Sequence, residues 1–315
     1  MQNYKKIIKE DADLMMKIDL PWGELKGRNI LITGATGFIA GYLIRFLSVL
    51  NKAKKLNIRI TGTVRNLKVA QKKFKDDDLE ILKRIELSIL DEIKIKKKYD
   101  YIFHMASVAS PKLFKDNPKN VVLPNTLGTI NLLNFASTMN LKSFIFFSTT
   151  GVNGFVDDEI RPISENEDGG LDSTKLENCY LESKRMGENL CIAWHAQDNV
   201  PIQIVRPAIT YGPGVPLEDG RSYADFINSI VKNKNIVLYS KGKAIRNFCY
   251  IADFIIGLFH VIFKGKIGEV YNVSSELEHS IKQAALMLTE DIFKDQNLSV
   301  EFDFGSNNDL RPEFN

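Results

Sequence analysis

The chain has 315 residues, of which 44% are apolar and 26% are charged, a composition typical of a globular protein with a large core. Its 42 basic and 39 acidic residues give a net charge of +3, which is too balanced to predict binding to nucleic acid. Three cysteines without a C-x-x-C pair exclude a disulfide framework, and the absence of an apolar run of about 18 residues or of an N-terminal signal core predicts a cytoplasmic protein without membrane contacts.

The predicted elements begin with a helical extension over residues 1–28, which ends at Pro21-Trp22-Gly23. From Asn29 onward, short apolar runs bounded by turn residues alternate with stretches of helical periodicity. The predicted strands are Asn29–Thr33, Ile58–Val64, Ile85–Leu90, Tyr101–Ala106, Lys142–Ser148 and Ile202–Arg206, and the predicted helices are Gly37–Asn51, Thr126–Asn140 and Glu182–Ala196.

This alternation of strands and helices predicts an α/β fold with a doubly wound parallel sheet of the Rossmann type. We expect residues 29–206 to form one domain around that sheet. Beyond Pro207 the alternation weakens and the loops lengthen. Residues 207–315 are therefore predicted to form a smaller, mainly C-terminal substrate-binding lobe, with some segments returning to the sheet.

A glycine-containing turn joins the first predicted strand to the helix that follows it. Glycines at this join allow a tight turn and a close approach of the backbone to a pyrophosphate, which the helix N-terminus attracts. The alternative is a turn without a ligand, but the position at the start of a βαβ unit favours a dinucleotide site. Residues 29–206 are therefore predicted to be an NAD(P)-binding domain. The residues predicted to bind the cofactor here are Gly34, Thr36, Gly37, Phe38 and Ile39.

The end of the second predicted strand favours NADP as the cofactor, with NAD as the alternative. An acidic residue at this position of a dinucleotide fold binds the ribose 2′-hydroxyl, whereas an arginine accommodates a 2′-phosphate. The strand ends Thr63-Val64-Arg65-Asn66, without a carboxylate, and a guanidinium can pair with phosphate through two hydrogen bonds. If Arg65 is only solvated, the preference for NADP disappears.

Tyr180 and Lys184 lie four residues apart at the start of a helical stretch, so their side chains share one helix face. A free tyrosine has a pKa of about 10, and a nearby ammonium lowers that pKa by favouring the phenolate. The pair is therefore a candidate acid–base unit for a sugar hydroxyl or carbonyl, while the alternative is a surface pair without function. Its position after a Rossmann half favours the catalytic interpretation.

Thr149 is a third candidate, in the sequence Ser148-Thr149-Thr150-Gly151 at the end of the strand predicted over Lys142–Ser148. The carboxyl ends of parallel strands line the ligand crevice of an open α/β sheet. The Thr149 hydroxyl is therefore predicted to hydrogen-bond a reacting oxygen, and ordinary capping of the strand end is the alternative. No metal site is predicted.

These motifs together resemble the extended short-chain dehydrogenase/reductase family, and within it the nucleotide-sugar epimerases, dehydratases, decarboxylases and reductases. The resemblance extends over roughly residues 29–312. Besides the glycine turn and Tyr180-x-x-x-Lys184, its markers are His104-Met-Ala-Ser, Asn125-Thr-Leu-Gly-Thr-Ile-Asn-Leu-Leu, Arg206-Pro207, Tyr211-Gly212-Pro213 and Arg246-Asn-Phe-Cys-Tyr-Ile-Ala-Asp253.

The resemblance implies a role for each of the three catalytic candidates. Thr149 would hydrogen-bond the sugar oxygen, and Tyr180 would exchange a proton with it. Lys184 would bind the nicotinamide ribose and lower the pKa of Tyr180. The same resemblance implies a nucleotide-sugar substrate and a homodimer formed through helices that include Glu182–Ala196. Further contacts are implied for Ala106, Ser107 and Pro207 with the cofactor, and for Arg246 and Arg311 with the substrate diphosphate.

The residues that follow Thr149 depart from the family pattern, and this departure reduces the number of reactions that the chain is expected to catalyse. Dehydratases of this family carry an Asp-Glu pair directly after the catalytic threonine, and UDP-glucuronate decarboxylases keep a glutamate where this chain has Gly151. Both reactions are therefore less favoured than those that need only the threonine, tyrosine and lysine. One is NADPH-dependent reduction of a nucleotide-linked 4-keto-(6-deoxy) sugar at C4, which Arg65 favours. The other is C4 epimerisation with a retained cofactor. A non-catalytic nucleotide sensor is the alternative from another class.

Overall fold

The computed structural model of the protein describes residues 2–75, 82–157, 162–217 and 220–304. Nowhere in these ranges does a helix combine the length and the apolar character needed to cross a membrane. The strands are β1 (Asn29–Ile32), β2 (Arg59–Val64), β3 (Leu82–Glu86), β4 (Tyr101–His104), β5 (Ser143–Phe147), β6 (Ile202–Pro207), β7 (Ile209–Tyr211), β8 (Ile236–Leu238), β9 (Ile245–Tyr250), β10 (Val270–Val273), β11 (Glu278–Ser280) and β12 (Val300–Phe302). The helices are α1 (Gln2–Met15), α2 (Phe38–Lys54), α3 (Leu67–Lys73), α4 (Pro111–Asp116), α5 (Pro118–Asn125), α6 (Leu127–Ala136), α7 (Cys179–Asp198), α8 (Ser222–Val231), α9 (Ile251–Lys264) and α10 (Ile281–Leu286).

The central sheet contains seven parallel strands in the order β10-β6-β5-β4-β1-β2-β3. The chain moves outward from β1 to β3, then returns to place β4 on the other side of β1 and continues through β5 and β6. The direction of winding reverses between β1 and β4, and their carboxyl ends flank the crevice in which open α/β sheets bind ligands. The predicted Rossmann-type sheet is confirmed.

Alternate residues of a strand enter two different cores, because successive side chains point to opposite faces of the sheet. In β1, Ile30 and Ile32 pack into the core that α2 and α9 cover, whereas Leu31 packs into the core that α6 and α7 cover. All three side chains are fully buried. Burial on both faces explains why the strands of this sheet are near-continuous apolar runs.

Beyond β6 the chain builds two small sheets, β11-β9-β7 and β8-β12. Side chains of α8, β8 and α10 form an apolar cluster of their own, apart from the two large cores. The strand β10, however, pairs with β6 at the edge of the central sheet, and α9 packs into one of the large cores. A division of the chain at residue 207 therefore remains a proposal.

The third strand runs from Leu82 to Glu86, earlier in the chain than the predicted Ile85–Leu90, which was wrong. β3 is an edge strand that pairs only with β2 among the described strands, so it tolerates the exposed Lys83 as its second residue. Ile89 is buried all the same, but against the start of α6, where its side chain lies beside Gly128. The apolar pattern over Ile85–Leu90 therefore predicted the burial of Ile89 correctly but did not predict which residues pair in the strand.

The segment before β1 is helical only as far as Met15, where the sequence predicted an extension over residues 1–28. A short 3-10 turn follows at Trp22–Leu25. Trp22 is buried and packs edge-on against Phe46 of α2 and Phe259 of α9. The segment before β1 is therefore part of the main core.

Candidate active site

A cavity of about 2300 Å³ lies at the carboxyl ends of β1, β4 and β5, with the C-terminal part forming its other wall. Gly34 and Ala106 touch each other immediately behind the lining residues, and Arg311 lies outside the described residues. The cavity brings together most of the residues predicted from the sequence. Those that line it are Gly37, Phe38, Ile39, Arg65, Ser107, Thr149, Tyr180, Lys184, Pro207 and Arg246.

The turn between β1 and α2 has the shape that a pyrophosphate site needs. Gly34 has a φ of +65°, in the left-handed region that favours glycine. A Cβ atom at Gly34 would lie 2.7 Å from the Cα atom of Ala106, in the loop after β4. α2 begins at Phe38, and Gly37 before it has no side chain to cap the first amide groups. The turn therefore fits a dinucleotide, whose pyrophosphate oxygens would accept hydrogen bonds from these amides.

The residues after β2 lie beside this turn. Arg65 directly follows β2, is exposed and lines the cavity. Asn66 caps α3 by accepting a hydrogen bond from the amide of Val69, and Lys73 of α3 donates to the carbonyl of Thr36 over 2.6 Å. The contact of Lys73 with Thr36 therefore holds α3 against the glycine turn, on the side where Arg65 lies.

A buried hydrogen-bonded chain through His104 fixes the loop after β4. Thr129 donates its hydroxyl hydrogen to the carbonyl of Asn125 at 2.7 Å, so it must accept from His104 Nε2 at 3.0 Å. His104 Nδ1 then accepts from Thr33 Oγ1 at 3.1 Å, and that oxygen accepts from the amides of residues 105–106 at 3.0 Å. Burial lowers the pKa of His104 to about 3, which keeps the ring neutral. These hydrogen bonds fix the backbone of Ala106, against which Gly34 packs.

Tyr180 and Lys184 lie in the first turns of α7, which begins at Cys179 rather than at the predicted Glu182. The Tyr180 side chain is half-buried and lies beside the Thr149 side chain, which follows β5. All three residues line the cavity. The structure therefore brings together the three predicted catalytic groups.

Lys184 is buried beneath the end of β5. Its ammonium donates a hydrogen bond to the carbonyl of Phe147 and lies 4.9 Å from the centre of the Phe146 ring. Burial lowers the pKa of Lys184 to about 7, although Cys191 and Glu188 oppose the shift. The Lys184 ammonium therefore loses its proton far more readily than a surface lysine does.

Two residues that the sequence did not single out surround Tyr180. The ring of Phe114, on α4, stacks on the tyrosine ring with a centroid separation of 5.2 Å and an angle of 9°. Arg221, just before α8, donates to the carbonyl of Ala109 over 3.1 Å and reaches across the cavity. Burial raises the pKa of Tyr180, while the nearby Arg221 guanidinium and Thr149 hydroxyl oppose that rise. The sequence assigned this tuning to Lys184, and that role stays a prediction.

The space beside Gly151, close to Thr149, is occupied by an apolar side chain. Gly151 lies in a 3-10 turn, Thr150–Asn153, that follows Thr149. A Cβ atom at Gly151 would come within 2.8 Å of the Cδ2 atom of Leu181, the residue after Tyr180. Gly151 has no side chain and supplies no carboxylate to the cavity, and a longer side chain at this position would require Leu181 to move.

Arg246 lies on β9, the middle strand of the small sheet β11-β9-β7. It lines the same cavity as Tyr180, and its Nη1 atom donates to the carbonyl of Ile245 at 2.7 Å. A guanidinium in this wall can bind an anionic group such as a diphosphate.

The sequence profile of the NAD-dependent epimerase/dehydratase family matches residues 30–274. The chain belongs to this family. The range shared with the NAD-dependent epimerase/dehydratase family includes the glycine turn, Arg65, the three predicted catalytic residues and Arg246, whereas α1 lies before it.

The curated relatives of the chain include UDP-glucuronic acid decarboxylases. UDP-glucuronic acid decarboxylase 1 of Xenopus tropicalis is 28% identical over 266 residues, which cover 84% of this chain and 60% of the relative. UDP-glucuronic acid decarboxylase 3 of Arabidopsis thaliana is 30% identical over 266 residues, which cover 83% of this chain and 73% of the relative. The chain thus spans about three fifths of the length of the Xenopus protein.

Solved structures of other proteins share the fold. An epimerase from Methanothermobacter thermautotrophicus has a TM-score of 0.75 at 22% identity, over 90% of this chain and 81% of that chain. A UDP-glucuronic acid 4-epimerase from Bacillus cereus, in complex with UDP-glucuronic acid and NAD, has a TM-score of 0.69 at 24% identity, over 87% of this chain and 85% of that chain. These likenesses concern the architecture of the chain.

Proposed function

We propose that this protein uses NADPH to reduce a nucleotide-linked 4-keto-(6-deoxy) sugar at C4. The observation that carries the proposal is the complete set of Thr149, Tyr180 and Lys184 in one cavity, next to a site where Gly151 and Leu181 stand in place of a carboxylate. Ketone reduction needs a hydride donor and a proton donor, whereas removal of water from C5 and C6 also needs an acid and a base at that site.

In this proposal each side chain has one task. Tyr180 donates a proton to the carbonyl oxygen at C4, and Thr149 polarises the same oxygen with a hydrogen bond. Lys184 binds the nicotinamide ribose from beneath the end of β5, where its ammonium already lies. The cofactor, when bound, supplies the hydride. Arg246 contacts the diphosphate of the substrate, and Arg311 is proposed for the same task.

A C4 epimerase is the second candidate, because hydride removal and return at one carbon would use the same three residues. The solved Bacillus cereus structure of this fold is a 4-epimerase in complex with its substrate and NAD, which favours this candidate. The decarboxylase relatives favour a uronic acid substrate instead. The apolar contact of Leu181 at Gly151 favours the reductase and the epimerase over the decarboxylase.

The fate of the hydride separates the first two candidates. We expect a panel of nucleotide-linked 4-keto-6-deoxy sugars, incubated with NADPH deuterated at the transferable position, to include one that gains a single deuteron at C4 per NADPH oxidised. NMR of the product and the absorbance of NADPH measure the two quantities. The corresponding 4-hydroxy nucleotide sugars are incubated separately with the oxidised cofactor. Interconversion of their C4 epimers without net formation of reduced cofactor would overturn the reductase and establish the epimerase.

Arg65 is proposed to bind the 2′-phosphate of NADP, since it follows β2 and lines the cavity. Replacing it, in Arg65→Ala, should weaken NADPH binding by about 1.5–3 kcal/mol, the usual loss for a charge-assisted hydrogen bond, and leave NADH binding nearly unchanged. Calorimetry with both cofactors measures the difference. The exposed Lys68, one residue into α3, offers a matched control in Lys68→Ala. Equal losses for NADPH and NADH would show that Arg65 is only solvated.

We also propose a homodimer formed through α7. Met186 and Ile192 are exposed on this helix, and Leu127 is exposed at the start of the neighbouring α6. A second copy of the chain packed on these two helices would bury all three side chains.

A further inference from the structure

The cavity has a cofactor wall, formed by the glycine turn and the start of α2, and a substrate wall, formed by β7, β9, Val215 and Pro216. The helix α1 connects these two walls, although it lies before the residues that match the family. Ile8, Ala12 and Met15 are buried in the main core, which α2 and α9 also line. α2 begins at the glycine turn, and α9 follows β9, the strand that carries Arg246. α1 therefore touches an element of the cofactor site and one that continues from the substrate wall.

One carboxylate oxygen of α1 joins these two elements directly. Oδ2 of Asp11 accepts a hydrogen bond from the Tyr42 hydroxyl at 2.8 Å and another from the Tyr250 hydroxyl at 2.9 Å. Tyr42 belongs to α2, and Tyr250 is the last residue of β9. Burial and the Asp11 carboxylate raise the pKa of both tyrosines, so both hydroxyls keep the hydrogen that they donate.

A second residue of α1 makes an equivalent connection. Tyr4 lies two helical turns before Asp11, on the same side of the helix. The guanidinium of Arg45, on α2, lies 5.2 Å from the centre of the Tyr4 ring. The Tyr4 hydroxyl packs so closely on Gly214 that a Cβ atom there would lie 2.9 Å away. Gly214 precedes Val215 and Pro216, which line the cavity.

We propose that α1 sets the distance between the cofactor wall and the substrate wall, with Asp11 and Tyr4 as positioning residues for nucleotide-sugar binding, an inference that rests on the proposed function. Neither residue lines the cavity. Each contacts α2 on one side and, on the other, either the end of β9 or the segment after β7. Loss of these contacts leaves the catalytic groups intact and lets the substrate wall shift against them.

The test uses the full chain with Asp11→Ala, which removes both hydrogen bonds, and Asp11→Asn, which keeps an acceptor oxygen. We expect Asp11→Ala to raise KM for the nucleotide sugar about tenfold and to leave kcat within about twofold. The dissociation constant for NADPH should stay unchanged, and Asp11→Asn should restore part of the lost affinity. Leu14→Ala on the exposed side of α1 is the control and should change neither constant.

The exchange rates of backbone amide hydrogens test the same inference without a substrate. In Asp11→Ala the amides of residues 209–216 and 245–250 should exchange faster, while those of residues 33–41 should not. Unchanged exchange in the substrate wall, or a lower Tm with no change in exchange and KM, would overturn the positioning role. The absence of turnover with any 4-keto sugar would defeat the proposed function instead, and the exchange result would still decide the role of α1.

Discussion

Tyr180→Phe should lower turnover by about two to four powers of ten while cofactor affinity stays nearly unchanged, because the substitution removes only the proton donor. The phenylalanine ring keeps the stacking contact with Phe114, so the packing of α7 against α4 should remain. Negative charge develops on the sugar oxygen in the transition state, and a donor aimed at that oxygen matters most at that point. Steady-state rates and calorimetry with NADPH measure the two effects.

Tyr239→Phe is the matched control for this experiment, because Tyr239 is exposed and does not line the cavity. It should keep the rate of the unaltered protein. Thr149→Val should cost less than Tyr180→Phe, since one hydrogen bond to the reacting oxygen is lost while the proton donor stays. A Tyr180→Phe protein that retains most of its turnover would remove Tyr180 from the proton-transfer step.

Gly34→Ala should abolish cofactor binding and lower stability by about 1–3 kcal/mol, the usual cost of forcing a side chain into a sparsely populated backbone region. The new methyl group would meet the Cα atom of Ala106 at 2.7 Å and its amide nitrogen at 3.0 Å. Neither atom can move freely, because the amide donates to Thr33, which the buried His104 chain holds. Calorimetry with NADPH and a thermal melt measure the two losses.

Gly23→Ala is the control for the glycine substitution. Gly23 lies in the 3-10 turn before β1, and a methyl group added to it would meet no described atom within 4 Å. The Gly23→Ala protein should melt at nearly the temperature of the unaltered protein and bind NADPH normally. If Gly34→Ala binds NADPH with unchanged affinity, the pyrophosphate does not lie on this turn.

The sequence predicted best those features that depend on neighbours along the chain. The i and i+4 spacing of Tyr180 and Lys184 places both on one face of α7, because the helix begins at Cys179 and therefore includes both residues. The glycine turn could also be predicted, because a short strand, two glycines and a helix follow one another directly. Strand pairing at the sheet edge could not be predicted, since the third strand begins three residues before its predicted start.

The contacts that shape the cavity come from residues far apart in the chain, and local patterns do not report them. Arg221 approaches Tyr180 only because the C-terminal part folds over the sheet, and no periodicity marks it. Leu181 fills the space at Gly151 because the 3-10 turn after Thr149 packs on α7. Asp11 joins Tyr42 and Tyr250 through tertiary packing alone.

The late position of β10 in the chain has a consequence for synthesis on the ribosome. Of the seven strands in the central sheet, β10 is made last, after the whole of α9, and among the described strands it alone covers the outer side of β6. Until residue 273 has left the ribosomal tunnel, the nascent sheet exposes the unpaired backbone of β6, which other chains can pair with. The sheet is therefore closed on this side only after most of the chain has been made, and during synthesis the edge of β6 is the part of the sheet most exposed to pairing with another chain.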